Sequence, residues 1–181
     1  LESVKPASLE EMAKKQSAED IAGAMQAFNK HRLPVHGMFV MGFDTDDERS
    51  IRSTVRFAKE SGVNTAQFLV LTPFPGTRTY EELHAQGRIL FDDWSLYDGH
   101  HVVFQPSKMD PLSLQNEHVA AHKSFYTPGR MIKKALKGRF EDAYIYGYAM
   151  NLNRNMRKRN RLYFNALELM SHSGGVVTRV E

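Results

Sequence analysis

The stretch Phe68-Leu-Val-Leu-Thr-Pro-Phe-Pro-Gly-Thr77 decides the fold of this chain. An apolar run ends in a rigid turn with two prolines, and a helical pattern follows. Residues 68–71 read as a strand buried on both faces, because an unbroken apolar run suits a parallel sheet covered by helices. Pro73 and Pro75 fix two φ angles and hold their predecessors extended. Gly76 permits the turn, and Thr77 is placed to cap a helix over residues 78–86. Backbone just past the carboxyl end of the strand is thereby held still, which is where barrel enzymes bind their ligands. A plain strand-to-helix connection is the alternative.

The same arrangement occurs once upstream. Residues 34–41 form a strand-like apolar run, Gly42-Phe-Asp-Thr-Asp-Asp-Glu48 follows, and an amphipathic helix comes next. Ile51, Val55, Phe57 and Ala58 approximate one apolar face of that helix, with Arg49, Arg52, Arg56, Lys59 and Glu60 left to solvent. Asp44, Asp46, Asp47 and Glu48 stand at its amino end, where negative charge complements the helix dipole and caps open amides. A magnesium or calcium site is the competing reading, but the spacing does not match an EF-hand loop. Ser61-Gly62 ends the helix and residues 63–67 lead into the next strand. The result is a β-α-β-α series. Two strand ends, at Gly42 and Thr72, are expected to meet on one concave rim.

Ahead of this series, Ser8 is placed to cap a helix over residues 9–15, and Ser17 one over residues 18–31. In the second, Ile21, Ala24, Met25 and Phe28 are expected to face the sheet, and Pro34 prevents continuation. Arg32 and His36 read as ordinary loop or edge residues.

After the series, residues 87–106 carry short strand signals around 89–91 and 102–104, with Asp98-Gly99 as a turn. His100-His101 lies near Asp92, Asp93 and Asp98, which allows a metal cluster, though no defined ligand spacing supports one. The plainer expectation is one exposed imidazole and one hydrogen-bonded beneath Trp94 or Tyr97. Asp110-Pro111 opens a helix with Leu112, Leu114, Val119, Ala120 and Phe125 for its buried side. His118 and His122 lie one turn apart on it, a zinc-like pair with no evident third ligand. A surface or interface pair is the expectation.

The chain has 181 residues, 41% of them hydrophobic, a net charge of +3 and no cysteine. That length supports one modest core or a half-barrel with a helical appendage. No run approaches the ~20 apolar residues of a membrane span, and residues 1–11 do not read as a signal peptide. The cytoplasm is the default expectation. Basic residues gather late: between Arg130 and Arg161 there are ten, against Glu141 and Asp142. With Tyr144, Tyr146, Tyr148, Tyr163 and Phe164 among them, nucleic-acid binding is one reading. The other is a helical tail whose stripe of Ile145, Tyr148, Ala149, Leu152, Met156, Tyr163, Leu167 and Met170 is buried, with the basic residues as its solvated face. Apolar surface left open there would promote self-association. No nucleophile with a nearby base and no phosphate loop is evident.

Leu1-Glu-Ser3, Lys14-Lys-Gln16, Gly37-Met-Phe-Val-Met-Gly-Phe-Asp44, Leu71-Thr-Pro-Phe-Pro-Gly-Thr77, Gly87-Arg-Ile89 and Asp93-Trp-Ser-Leu-Tyr-Asp98 occur in an order and spacing that resemble one family. That family is the radical S-adenosylmethionine enzymes, specifically the carboxyl-terminal half of the cobalamin-associated group, which includes the anaerobic cyclase of chlorophyll synthesis and hopanoid methylases. The resemblance covers residues 1 to about 130.

The resemblance implies an α/β fold: the last strands of a partial (β/α) barrel in residues 1–86, a connecting segment in 87–126 and a basic helical extension in 127–181. It implies S-adenosylmethionine contacts from Glu2 and Ser3 beside the ribose and methionine part, from Val40, Met41 and Gly42 against adenine, and from Leu71, Thr72 and Pro73 at the adenine edge. Here Phe43-Asp44-Thr45-Asp46 replaces the family's usual proline-glycine-glutamate turn. A four-iron four-sulfur cluster and, in some members, cobalamin go with the family. Cluster binding needs three thiolates, and this chain has none. The resemblance therefore implies a fragment, inactive alone, of a parent that forms a 5′-deoxyadenosyl radical or transfers a methyl group to a small-molecule substrate. The missing barrel strands and any cobalamin domain would be its partners. The rivals are a nucleic-acid-binding module and an oligomerisation module without catalysis.

Overall fold

The computed structural model describes residues 18–172. In chain order these are α1 (Ala18–Lys30), β1 (His36–Met41), α2 (Glu48–Glu60), β2 (Thr65–Val70), α3 (Arg78–Ala85), a 3₁₀ turn (Trp94–Leu96), α4 (Pro111–Phe125), α5 (Pro128–Leu136), α6 (Phe140–Arg159) and α7 (Arg161–His172). The arrangement is α/β: β1 and β2 pair in parallel, in a register that runs from His36 opposite Thr65 to Met41 opposite Val70. The sheet among the described residues has these two strands alone, so a barrel is not seen. The helix expected over residues 9–15 and the cap expected from Ser17 lie outside the described residues.

The register explains the core. Phe39 and Phe68 are paired across the strands, both fully buried, with ring centroids 5.5 Å apart in a stacked pair. Full burial of each ring stabilises the fold by about 2–3 kcal/mol. From α2, Ile51, Val55 and Ala58 pack onto this pair's cluster, and from α4, Leu114 and Phe125 do so. The acidic cluster before α2 is structural. Asp47 caps the helix by accepting from the Ser50 N–H at 2.7 Å, and the Ser50 hydroxyl closes a capping box. The Asp46 carboxylate accepts from the Gly42 and Phe43 amides at 3.0 and 3.2 Å.

Some expectations require correction. In α1, Ile21 and Met25 are buried, but Ala24 is exposed and Phe28 is 43% exposed, because the helix meets the core along a narrower face than its spacing suggests. The strand pair expected near residues 90 and 103 is a single antiparallel bridge, Ile89 with Phe104. In α4, Ala120 is exposed, and Gln115 and His118 take up part of the buried side. The late stripe divides: Tyr163, Leu167 and Met170 are buried, whereas Ile145, Tyr148 and Leu152 are 41–58% exposed. No helix among the described residues is long and apolar enough to cross a membrane.

Candidate functional site

The strand ends at Met41 and Val70 lie side by side, as the parallel register requires, and the Leu71 N–H donates to the Met41 carbonyl at 2.8 Å. Beyond them opens a cleft of about 340 Å³, lined by Phe43, Asp44, Leu71, Arg78, Glu82, Arg88 and Phe104 among others. Crevices outside the carboxyl ends of parallel strands are the usual ligand sites of open α/β sheets. Thr77 caps α3 by accepting from the Tyr80 N–H, so the turn that follows β2 is fixed on both sides.

Of the expected contact residues, Leu71 lines this cleft. Gly42 does sit where a side chain would not fit: its φ is +98°, and an added Cβ would stand 2.8 Å from Leu114 Cδ2. What approaches it is therefore the protein's own Leu114, with Phe104 close behind. Met41 is buried at 2% exposure and Pro73 is buried, while the Thr72 hydroxyl donates back to the Val70 carbonyl at 3.0 Å. Val40 is half-buried. Glu2 and Ser3 lie outside the described residues. Across the cleft, Arg88 makes a two-pronged contact with Asp44, at 2.5 and 3.0 Å, and its Nε donates to the Gln105 carbonyl. The Arg88 guanidinium holds the Asp44 carboxyl below the usual carboxylate range.

A second cleft, of about 500 Å³, runs along the outer edge of β2. Its wall includes His36, Gln67, His100, His101, His118, His122 and Tyr126, with Ile145, Tyr148, Leu152 and Met156 from α6 opposite. This is where the open half of the late stripe goes. The edge itself is closed by side chains spaced four residues apart, two from α4 and that of Tyr126, which caps its end. Tyr126 donates its hydroxyl to the Ala66 carbonyl at 2.6 Å and accepts from the Ala66 N–H at 2.9 Å. His118 Nε2 and His122 Nε2 both lie 3.0 Å from the Phe68 carbonyl. The Val70 N–H donates to the Gly99 carbonyl at 2.7 Å.

The loop around Gly99 carries the remaining histidines. Asp98 accepts from the His100 and His101 amides, and His101 Nδ1 stands 3.0 Å from both its oxygens. Burial would raise the Asp98 carboxyl, but these bonds and the neighbouring imidazoles outweigh it and hold the group at about 2. His101 packs edge-on against Tyr163, not beneath Trp94 or Tyr97, and is buried, so that expectation is corrected. Its Nε2 has no hydrogen-bond partner among the described residues. Gln115, fully buried, ties the loop to α4: its amide donates to the His100 carbonyl at 3.0 Å, and its oxygen accepts from Tyr163 and the Val102 N–H. Periodicity reads apolar residues, so it could not place Gln115 and His118 inside. The i,i+4 spacing of His118 and His122 was the available signal.

No protein-family model matches the chain. It is 31% identical over 139 residues to a bacteriochlorophyllide d C-12(1)-methyltransferase of Chlorobaculum tepidum, covering 76% of this chain and 30% of that protein. It is 29% identical over 138 residues to a bacteriochlorophyllide d C-8(2)-methyltransferase of the same organism, covering 75% of this chain and 31% of that protein. An uncharacterized methyltransferase of Pyrococcus horikoshii is 27% identical over 150 residues, 76% of this chain and 33% of that protein. The chain thus spans about a third of the length of the curated relatives it matches.

These relatives correct the family resemblance drawn from the sequence. They are methyltransferases, and none is a cyclase or a hopanoid methylase or is described by radical, iron–sulfur or cobalamin chemistry. The radical S-adenosylmethionine assignment is withdrawn, and the iron–sulfur cluster and cobalamin go with it. A chain without cysteine offers no thiolate to such a cluster in any case.

Proposed function

We propose that this chain forms part of a methyltransferase that takes its methyl group from S-adenosylmethionine and acts on a large, flat tetrapyrrole. The similarity to two bacteriochlorophyllide methyltransferases over three quarters of the chain carries the reading. The two clefts support a division of labour. The strand-end cleft has the size of a nucleoside site and an apolar wall of Phe43, Leu71 and Phe104 suited to adenine. In this reading Leu71 meets the base directly, Val40, Met41, Gly42 and Pro73 act as backbone support behind it, and Glu2 and Ser3 serve the ribose and methionine part. The bound S-adenosylmethionine supplies the methyl group; the chain's residues bind and orient it. The wider apolar cleft, with exposed Tyr148 and Leu152, offers a flat macrocycle a surface to bury.

The fold enters the same reading. The β2 edge is closed by Tyr126, His118 and His122, so further strands of a barrel would join at β1, whose only strand neighbour among the described residues is β2. The test uses the whole protein of which this chain is part. A radiolabelled methyl group from S-adenosylmethionine should appear in bacteriochlorophyllide. Bacteriochlorophyllide should also bind, seen by its fluorescence change, and Leu152→Glu should weaken that binding about tenfold or more, by placing a charge in a desolvated contact, while leaving S-adenosylmethionine affinity unchanged. Equal binding of the tetrapyrrole by wild type and variant would remove it from this cleft.

A further inference from the structure

His100, His118 and His122 each place a ring nitrogen so that the three lie within 4.8 Å of one another. They come from two elements, the Asp98 loop and α4, and both ends are held. The His100 backbone is fixed by Asp98 on one side and Gln115 on the other, and His118 is 1% exposed on the buried face of α4. His100 Nδ1 stands 3.4 Å from His118 Nε2, and the Phe68 carbonyl oxygen is 3.0 Å from the Nε2 atoms of both His118 and His122. In a tetrahedral centre with metal–nitrogen bonds of about 2.0–2.1 Å, neighbouring ligand atoms are about 3.3–3.4 Å apart. The His100–His118 separation matches that value, and the third nitrogen lies within 4.8 Å of both.

Hydrogen bonding alone does not account for three rings. Tyr126 shows what the β2 edge needs, since one hydroxyl satisfies both backbone groups of Ala66. At Phe68 a single carbonyl receives two imidazoles, and a third arrives from a separate loop. His118 Nε2 carries at most one proton, which cannot make a full two-centre bond to both the Phe68 oxygen and His100 Nδ1.

We propose that His100, His118 and His122 form a binding site for a divalent late first-row transition metal ion, zinc above all, with the Phe68 carbonyl beside it and the apolar cleft in front. Imidazole nitrogens suit zinc, copper, nickel and iron rather than magnesium or calcium. Because the three rings line the cleft, a position on the ion faces whatever the cleft holds, as in metal centres with three protein ligands and one exchangeable one. The ion would also pin the Asp98 loop and α4 to the edge of β2.

The full chain, stripped of metal with chelator, is titrated with Zn²⁺ by calorimetry and with Co²⁺ by visible absorption. One ion per chain should bind, and X-ray absorption at the zinc edge should show three imidazoles. His100→Ala leaves both bonds to Phe68 in place and should weaken Zn²⁺ about tenfold or more, with an unchanged circular dichroism spectrum. His84→Ala, on the exposed side of α3, should not change it. Equal affinity in wild type and His100→Ala, absence of binding, or fewer than three imidazoles in the spectrum would overturn the proposal. Should His100→Ala fail to fold, the imidazole count in the wild type decides.

Discussion

The carboxyl ends of β1 and β2 and the outer edge of β2 both leave backbone polar groups outside the sheet, and the chain treats them in opposite ways. At the ends, prolines, caps and an ion pair lock the backbone, and Leu114 occupies the space above Gly42. Along the edge, long side chains from α4 reach across to the backbone, and the imidazoles among them remain open to a cleft. The difference teaches that a fixed backbone and a reactive surface need not coincide. The tips hold the shape, and the titratable groups collect where a loop and a helix meet the edge.

The largest effect should come at the tip. Gly42→Ala places a β-carbon 2.8 Å from Leu114 Cδ2 at a φ of +98°, so strain and overlap act together. A loss of about 2–4 kcal/mol is expected, read from the urea midpoint. Leu114→Ala alone should cost about 2–5 kcal/mol, because Leu114 is fully buried. Combined, the two should cost less than their sum by more than about 0.5 kcal/mol, since the second removes the atom the first collides with. Strict additivity would mean that Leu114 does not fill the space over Gly42.

A smaller effect belongs to the edge. Tyr126→Phe removes the hydroxyl that bonds both backbone groups of Ala66, at a cost of about 1–3 kcal/mol at neutral pH. Burial pushes the Tyr126 hydroxyl up to about 12 in the folded chain, from 10. A raised value means the folded state holds the proton more tightly. The contribution is therefore complete below pH 10 and is lost as pH rises from 10 through 12. Urea titrations across that window should show a shallower alkaline decline in Tyr126→Phe than in the wild type. Parallel declines would separate Tyr126 from the closure of the edge.

How far this contrast was legible in the sequence depends on the kind of residue involved. Apolar runs bounded by proline and glycine located β1, the second half of β2 and the helices after them, while residues 65–67 joined β2 unannounced because they are not apolar enough to mark it. Thr77, Asp110 and the acidic group that includes Asp47 were legible as caps because a cap bonds its own neighbours. The third histidine was not legible. His100 and His118 are eighteen positions apart, and their approach depends on Gln115 turning its amide to the His100 carbonyl, a contact no periodicity contains. The late stripe misled for a related reason. Spacing showed that Tyr148 and Leu152 share a face with their neighbours but not that this face borders a cleft instead of the core.

The smallest effect returns to the tip and concerns its charges. Asp44 is half exposed, whereas the Arg88 side chain is 15% exposed and also bonds the Gln105 carbonyl. Asp44→Asn should therefore change stability by less than about 1 kcal/mol, after screening by solvent. Arg88→Met should cost more, because it also takes the donor away from the Gln105 carbonyl. The Arg88 contact lowers the Asp44 carboxyl, so its contribution is present above the ordinary value of 3.8 and fades as pH falls through the lowered one. Asp44→Asn should remove that small contribution at neutral pH and converge with the wild type once pH falls below the lowered value. Millimolar Ca²⁺ supplies the counter-test: the carboxylates here are already bonded to Arg88, to amides and to Ser50, so the melting temperature should not move. A Ca²⁺-dependent rise that disappears in Asp44→Asn would turn the tip from a locked shape into a cation site, and the contrast with the histidine edge would have to be redrawn.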